Sequence, residues 1–364
     1  MERESHGGAR DAIVFVPGFD AKEKDYYIDR YLALGLANRL EDRRAYMEPE
    51  PVKIAGLSGR RFTFESQGGA KKTVDIYEIY WRDLVEDLNE GTIRYRVFRG
   101  IYLLLYWLSA SFKIGRMSGI FLLQVTAILG LIAAWEYGTV IMAMTAIGTD
   151  PNALGFQLPS QWAEALGRWG QALGGWQLWL VTSALLSFLP ISINVLIHLL
   201  DFIVRYAEDD TVGGVATLRD RLRHRLTGAL ADVFDSGDYG RVTVMAHSLG
   251  SVLAVDCLAD YRFRPGEAVR FVTLGTPLKM MAAISTWIRA EVEKCLHRDA
   301  IAEWVDFYSD RDWLCTRVPL HRGVRSDRFR AEAISLRVSL AQQLTAESHR
   351  AYFFDRAVLE TLLD

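Results

Sequence analysis

Cysteine is scarce in this chain, which holds only Cys257, Cys295 and Cys315 among 364 residues. An odd number of thiols without metal-ligand spacing excludes a disulfide framework and a zinc cluster, and agrees with a reducing compartment. One-sided charge is lacking too. The formal net charge is −3, so no global basic field points to nucleic acid. No P-loop, no Gly-x-Gly-x-x-Gly fingerprint and no internal repeat occurs, and neither a cofactor nor a metal is expected. The opening residues MERESHGGARD are polar and the first apolar run has only strand length, so no signal peptide is expected.

What is present centres on residues 241–250, RVTVMAHSLG. Arg241 to Met245 predicts a short β-branched strand, and Ser251 to Ala259 an apolar-faced helix. Between them, Ala246-His247-Ser248-Leu249-Gly250 is a small-x-Ser-x-Gly turn. Such a strand-to-helix turn can hold a serine in a strained conformation with its hydroxyl projecting from the top of a sheet. Small residues two before and two after the serine leave room for neighbouring backbone, and Ala246 stands where a first glycine is usual. The five-residue pattern alone is weak; its context strengthens it.

A serine hydroxyl needs a base, and the base an orienting acid. Downstream, the pattern predicts a strand at Val269–Leu274, ending in Gly275-Thr276-Pro277, and another at Trp304–Tyr308, running into Ser309-Asp310-Arg311-Asp312. Acids just past a strand end can reach a site above the sheet, which makes Asp310 and Asp312 candidates. A fourth strand is predicted at Ala333–Val338, and His349 begins an amphipathic terminal helix ending at Leu363. Serine, acid and histidine thus follow in the order Ser, Asp, His. Of the other histidines, His247 is read as packing, His198 as buried in an apolar run, and His6, His224, His297 and His321 as surface residues.

This arrangement resembles the α/β-hydrolase superfamily, and more closely its lipase- and esterase-like serine hydrolases. VFVPGF at 14–19, AHSLGS at 246–251, VTLGTP at 272–277, VDFYSDRD at 305–312 and SHRAYF at 348–353 carry the resemblance. It covers roughly residues 11–84 and 211–364. The implied fold is an α/β-hydrolase fold, a mostly parallel central sheet flanked by helices. Ser248 is the implied nucleophile, His349 the base and Asp312 the acid, with Asp310 the alternative acid. The implied oxyanion hole takes its backbone N–H groups from Leu249 and Phe19, with Gly18 allowing close approach to substrate.

A long apolar block interrupts this pattern. Ile101–Phe112, Met117–Trp135 and Trp169–Leu200 carry no charged residue. A membrane span needs about 20 mostly apolar residues, so the second and third runs are long enough. The first is shorter, is flanked by Arg94, Arg96, Arg99, Lys113 and Arg116, and reads as an interfacial or re-entrant helix at 101–112 instead of a full span. If both halves of the hydrolase pattern build one site, the number of spans is even. Two spans at about 118–142 and 176–200, with 149–175 between them, meet that requirement. Basic residues cluster outside this hairpin while the connection offers only Arg168, which places the catalytic part in the cytosol. Trp162, Trp169, Trp176 and Trp179 fit an aromatic belt at the outer interface. The alternatives are a buried helical cap over the site, or three segments lying shallowly in one leaflet.

The sequence therefore divides into 1–84, the N-terminal half of the α/β-hydrolase domain; 85–210, a membrane-associated helical insertion in which 85–100 is a candidate lid; and 211–364, the C-terminal half with the triad. Arg219, Arg221, Arg223 and Arg225 are expected on a solvated or headgroup-facing helix side. The early region predicts a strand at 12–17, a helix at about 24–41, a hairpin at 51–66 and a strand at Thr73–Tyr80. The expected function is a membrane-anchored serine hydrolase of a carboxylic ester or thioester, with a lipid or acyl ester as substrate and the bilayer as partner. An acyltransferase using the same triad and a non-catalytic membrane scaffold are the alternatives. Oligomeric state is left undetermined.

Overall fold

Arg10–Val16 forms β1, every residue of which is buried after the first. A strand apolar on both faces belongs in the middle of a sheet covered on both sides. It lies there. The computed structural model describes residues 10–19, 23–40, 47–65, 69–86, 193–209, 216–320, 327–339, 342–343 and 347–363, with isolated positions between 102 and 180. The chain divides into two compact units, Met1–Glu90 with Leu199–Asp364, and Gly91–His198. Of the second, only scattered helical positions and the start of the helix Ile193–Glu208 are described.

The first unit is an α/β structure around one mostly parallel sheet. After β1 come the helical segment Ile28–Leu32, which continues into α1 (Ala33–Leu40), and then β2 (Met47–Ile54), β3 (Leu57–Glu65) and β4 (Lys71–Glu78). The short α2 (Asp83–Glu86), α3 (Ile193–Glu208) and α4 (Leu218–Asp235) lead to β5 (Arg241–His247) and α5 (Gly250–Asp260). There follow β6 (Val269–Leu274), α6 (Leu278–Ile284), α7 (Thr286–His297), β7 (Ile301–Tyr308) and β8 (Phe329–Ala333). A 3-10 segment, Glu347–Phe354, and α8 (Arg356–Leu363) end the described chain.

The eight strands lie in the order β2-β3-β4-β1-β5-β6-β7-β8. β1 pairs in parallel with β4 and β5, and β5 to β8 continue in parallel. Only the β2-β3-β4 end is antiparallel, as the expected hairpin requires. Strand alternation sorts the core into two layers. Ile13 and Phe15 face a cluster with Leu32, Leu36, Leu40, Val358 and Leu362. Val14 and Val16 face Leu226, Leu230 and Ala254 on the other side. Helices thus cover both faces, and the parallel strands direct their C-terminal ends to one edge.

α4 shows how local signals set an element. Thr217 Oγ1 accepts from the Asp220 N–H at 3.0 Å, and the Asp220 carboxylate accepts from the Thr217 N–H at 3.3 Å. This capping box satisfies two donors at the helix start. Leu218, Leu222, Leu226 and Leu230, spaced at four, form its buried stripe.

Several expectations need correction. Of the four α4 arginines expected on a solvated or headgroup-facing side, Arg225 keeps 40% of its side chain exposed, whereas Arg219 is drawn inward with 13% exposed. Arg219 bonds the buried Asp256, Arg223 pairs with Asp260, Arg221 donates to the Leu84 carbonyl, and Arg225 donates to the Tyr80 carbonyl and Asp83. Their side chains bind neighbouring elements because carboxylates and backbone carbonyls lie within reach across the helix packing. The last strand is Phe329–Ala333, not Ala333–Val338. Pairing with Trp304–Tyr308 decides its register, while Ile334 and Leu336 are buried beyond its end. His349 lies within a 3-10 segment before the terminal α-helix instead of starting that helix.

Of the expected interfacial helix at 101–112, residues 102–103, 105–107 and 109–110 are described and all are helical, with Leu103, Trp107 and Ala110 buried. The expected spans at 118–142 and 176–200, the tryptophan belt and the lid at 85–100 lie outside the described residues, apart from isolated positions, Val85, Glu86 and the start of α3. Among the described residues no helix is long and apolar enough to cross a membrane.

Candidate active site

β5 ends at His247 and α5 begins at Gly250, so Ser248 and Leu249 make the whole turn between strand and helix. Ser248 has φ +54°, a left-handed conformation that a side chain rarely adopts. Such strain persists only where the surroundings over-determine it. Here the Ser248 N–H donates to Leu274 O at 3.0 Å on the neighbouring strand, and its carbonyl accepts from the Ser251 N–H at 3.0 Å. Gly250 is needed sterically, since a Cβ would stand 2.3 Å from Val16 O. The loop after β1 closes on the other side, where a Cβ on Gly18 would fall 2.8 Å from Ser248 Cβ.

Leu274 ends β6, and Gly275 follows with φ +56°. A Cβ at Gly275 would meet Tyr352 at 2.9 Å, Asp312 Oδ2 at 3.0 Å and His349 Cε1 at 3.1 Å. The serine turn, the β6 end, the acid loop and the 3-10 segment therefore converge at one edge of the sheet. His349 Nδ1 lies 2.7 Å from Asp312 Oδ2, and the Asp312 side chain is inaccessible to solvent. Because an ionised carboxylate only accepts, Nδ1 carries the proton. Asp312 Oδ1 also accepts from the Leu314 N–H at 3.1 Å.

The other histidine nitrogen, Nε2, is buried and without a hydrogen-bond partner. No bond from Ser248 Oγ to that nitrogen is formed in this structure. Asp310 turns away: its carboxylate is 85% exposed and pairs with Arg317 at 2.7 Å. The two acids, two residues apart, thus have opposite environments.

Leu249 is buried at the start of α5, and its N–H makes no hydrogen bond among the described residues. The same holds for the Phe19 N–H, while the Phe19 ring packs on Phe202 with 5.5 Å between centroids. Gly18 and Phe19 also border an open cleft with Tyr27, Trp81 and Glu78. Glu78 is 2% exposed, and burial pushes its carboxyl up to about 8.

Three contributors were missed in the sequence. His247 is not mere packing, since its Nε2 lies 2.7 Å from His349 O and its ring lies on the His349 ring at 4.6 Å. Gly275 leaves the room that Asp312 and His349 occupy, since a Cβ there would meet both, and the Tyr352 ring lies edge-on to the His349 ring at 6.4 Å. The signal for His247 was its alternation with Met245 on a buried strand; nothing local identified its partner. The other placed histidines do not join the site: His224 and His297 are exposed, and His198 lies on α3. His6 and His321 lie outside the described residues. Among the described residues no group of His, Cys, Asp and Glu is arranged to hold a metal. Cys315 is a poor rival nucleophile, because burial, with the nearby Asp312 charge, pushes its thiol up to about 12.

The fold and this edge define an α/β protein with a mostly parallel, helix-flanked sheet and a strained serine beside a buried Asp–His pair. No family model, no curated protein and no solved structure matches the chain.

Proposed function

We propose that this chain is a serine hydrolase of the α/β-hydrolase type, cleaving a carboxylic ester or thioester. The single observation that carries the reading is the buried 2.7 Å bond from His349 Nδ1–H to Asp312 Oδ2, at the sheet edge that holds the strained Ser248. A base oriented by an acid and left with a free nitrogen is what a serine hydroxyl requires.

In the proposed reaction Ser248 Oγ attacks the acyl carbonyl carbon while its proton passes to His349 Nε2. Asp312 stabilises the imidazolium. The oxyanion receives the Leu249 and Phe19 N–H groups; losing one such donor typically costs about 10²–10³ in rate. Collapse breaks the bond to the leaving alcohol or thiol, which takes the proton from His349. Water then attacks the acyl-enzyme with His349 again as base, releasing the acid and restoring Ser248.

The substrate class we favour is a lipid ester. The support is the uncharged runs 117–135 and 169–200, which would tether the site to a bilayer where such esters reside, with the catalytic unit on the cytosolic side. Fluorophosphonate labelling of detergent-solubilised protein tests the chemistry. Labelling lost in both Ser248→Ala and His349→Ala is expected. A folded, accessible wild type that stays unlabelled would overturn the reading in favour of a scaffold. Release of the protein from membranes by alkaline carbonate would overturn the tether.

A further inference from the structure

We infer that His247, the residue before the proposed nucleophile, is a positioning residue that ties the His349 segment to the serine turn through its own imidazole. The side chain ends β5 on the same face as Met245 and is 1% exposed. Its Nε2 lies 2.7 Å from the carbonyl oxygen of His349, 102 residues away in the chain. A carbonyl only accepts, so Nε2 carries the proton. The ring packs at 4.6 Å on the His349 ring, at 4.9 Å on Phe353 and at 6.0 Å on Tyr27.

His349 is therefore held at two points: its carbonyl by His247 and its Nδ1 by Asp312. The first bond runs to the residue covalently joined to Ser248, so the serine turn and the imidazole are referenced to each other and not only to the sheet. Such supporting contacts govern site geometry, and about 1 Å of misplacement can cost about 10²-fold in rate. His247 also suits the place electrically. Burial, with the adjacent His349 and Arg350, pushes its pKa well below the ordinary value. A neutral neighbour lets His349 take up a proton during reaction, whereas a charged one at that distance would oppose it. The groups facing His247 are His349 and Arg350 from the 3-10 segment, Tyr27 from the entry to α1, and Gly18 from the β1 loop.

The kinetic part of this inference rests on the proposed serine chemistry, but a second readout does not. The full chain would be compared with His247→Gln, whose amide nitrogen can donate from near the position of Nε2, and with His247→Leu and His247→Met, which cannot donate. Melting temperatures control for folding. Fluorophosphonate labelling rates across pH are one readout. The low-field proton resonance of His349 Nδ1–H, recorded in a Ser248→Ala background, is the other.

The Leu and Met variants should label about 10²-fold more slowly, with the acidic limb of the pH profile displaced. Gln should recover most of the rate. The low-field proton should broaden or vanish in Leu and Met and persist in Gln. If one apolar variant does not fold, the other makes the comparison. Wild-type labelling and an unchanged low-field proton in a folded apolar variant would overturn the inference, as would a Gln variant no better than Leu. An unlabelled wild type whose low-field proton still depends on a donor at 247 would sink the hydrolase reading and support the positioning role.

Discussion

The imidazole of His349 donates to Asp312 across 2.7 Å with both side chains withdrawn from water, while Asp310, two residues before Asp312, pairs with Arg317 in solvent. In the proposed reaction the first acid holds the tautomer and stabilises the imidazolium, while the second is screened by water.

Asp312→Asn should therefore lower the labelling rate of Ser248 by about 10⁴-fold, because the amide can donate and stabilise the wrong tautomer. Asp310→Asn should leave the rate within about twofold, as expected for loss of an exposed ion pair. Rate constants for the two purified variants check this, and equal losses would refute the assignment of the acid.

Gly275→Ala should impair the site more than the fold. The added methyl meets Asp312, His349 and Tyr352 at about 3 Å, and the backbone is in the left-handed region. A displaced acid–base pair predicts a labelling rate about 10²-fold lower. The conformational strain adds about 1 kcal/mol of destabilisation, readable from urea unfolding.

Stability should fall with rising pH through Glu78. Its folded carboxyl is raised to about 8 by burial, above the ordinary value of 4.5. Between those values the folded state keeps a proton that the unfolded chain has lost, so the slope is about −1.4 kcal/mol per pH unit from this group. Below pH 4.5 both states are protonated, and above about 8 both are ionised, so the term levels off. Glu78→Gln should remove that slope, leaving stability near wild type at pH 4 and higher at pH 8. Urea titrations at the two pH values decide it, and parallel wild-type and variant curves would contradict it.

Asp256 anchors the α3, α4 and α5 contacts. Inaccessible to solvent, it accepts from Tyr206 Oη at 2.7 Å and from Arg219 at 2.7 Å. Asp256→Ala leaves the Arg219 charge, 13% exposed, without its main acceptor. A loss of about 3–5 kcal/mol follows by analogy with broken buried pairs. Tyr206→Phe removes one hydrogen bond to a charged acceptor and should cost about 1.5–3 kcal/mol. Chemical denaturation of both variants tests the ranking.

Much of the frame was legible because its signals are local. Val269–Leu274 has the run of a buried parallel strand and forms β6 with those bounds. The small-x-Ser-x-Gly turn at 246–250 announced a strand-to-helix junction, and Ser248 stands there with positive φ. Alternation alone is ambiguous near the end of the sheet. Ile334 and Leu336 suggested strand by their alternation, yet their burial comes from packing beyond the end of β8.

Taken alone, the sequence determined the α/β succession, the place of the turn and the short list of acids and bases, since propensity, alternation and chain order act over a few residues. Tertiary structure decided which residues of that list meet. Asp310 and Asp312 have the same chemistry and nearly the same position in the chain. Only the approach of the 3-10 segment to the β7 loop buries one against His349 and leaves the other in water. The inward pairing of Arg219 with Asp256, the burial of Glu78 and the bond from His247 to His349 O likewise depend on contacts between distant segments. Desolvation and hydrogen-bond geometry are properties of those contacts, and the linear order of residues does not carry them.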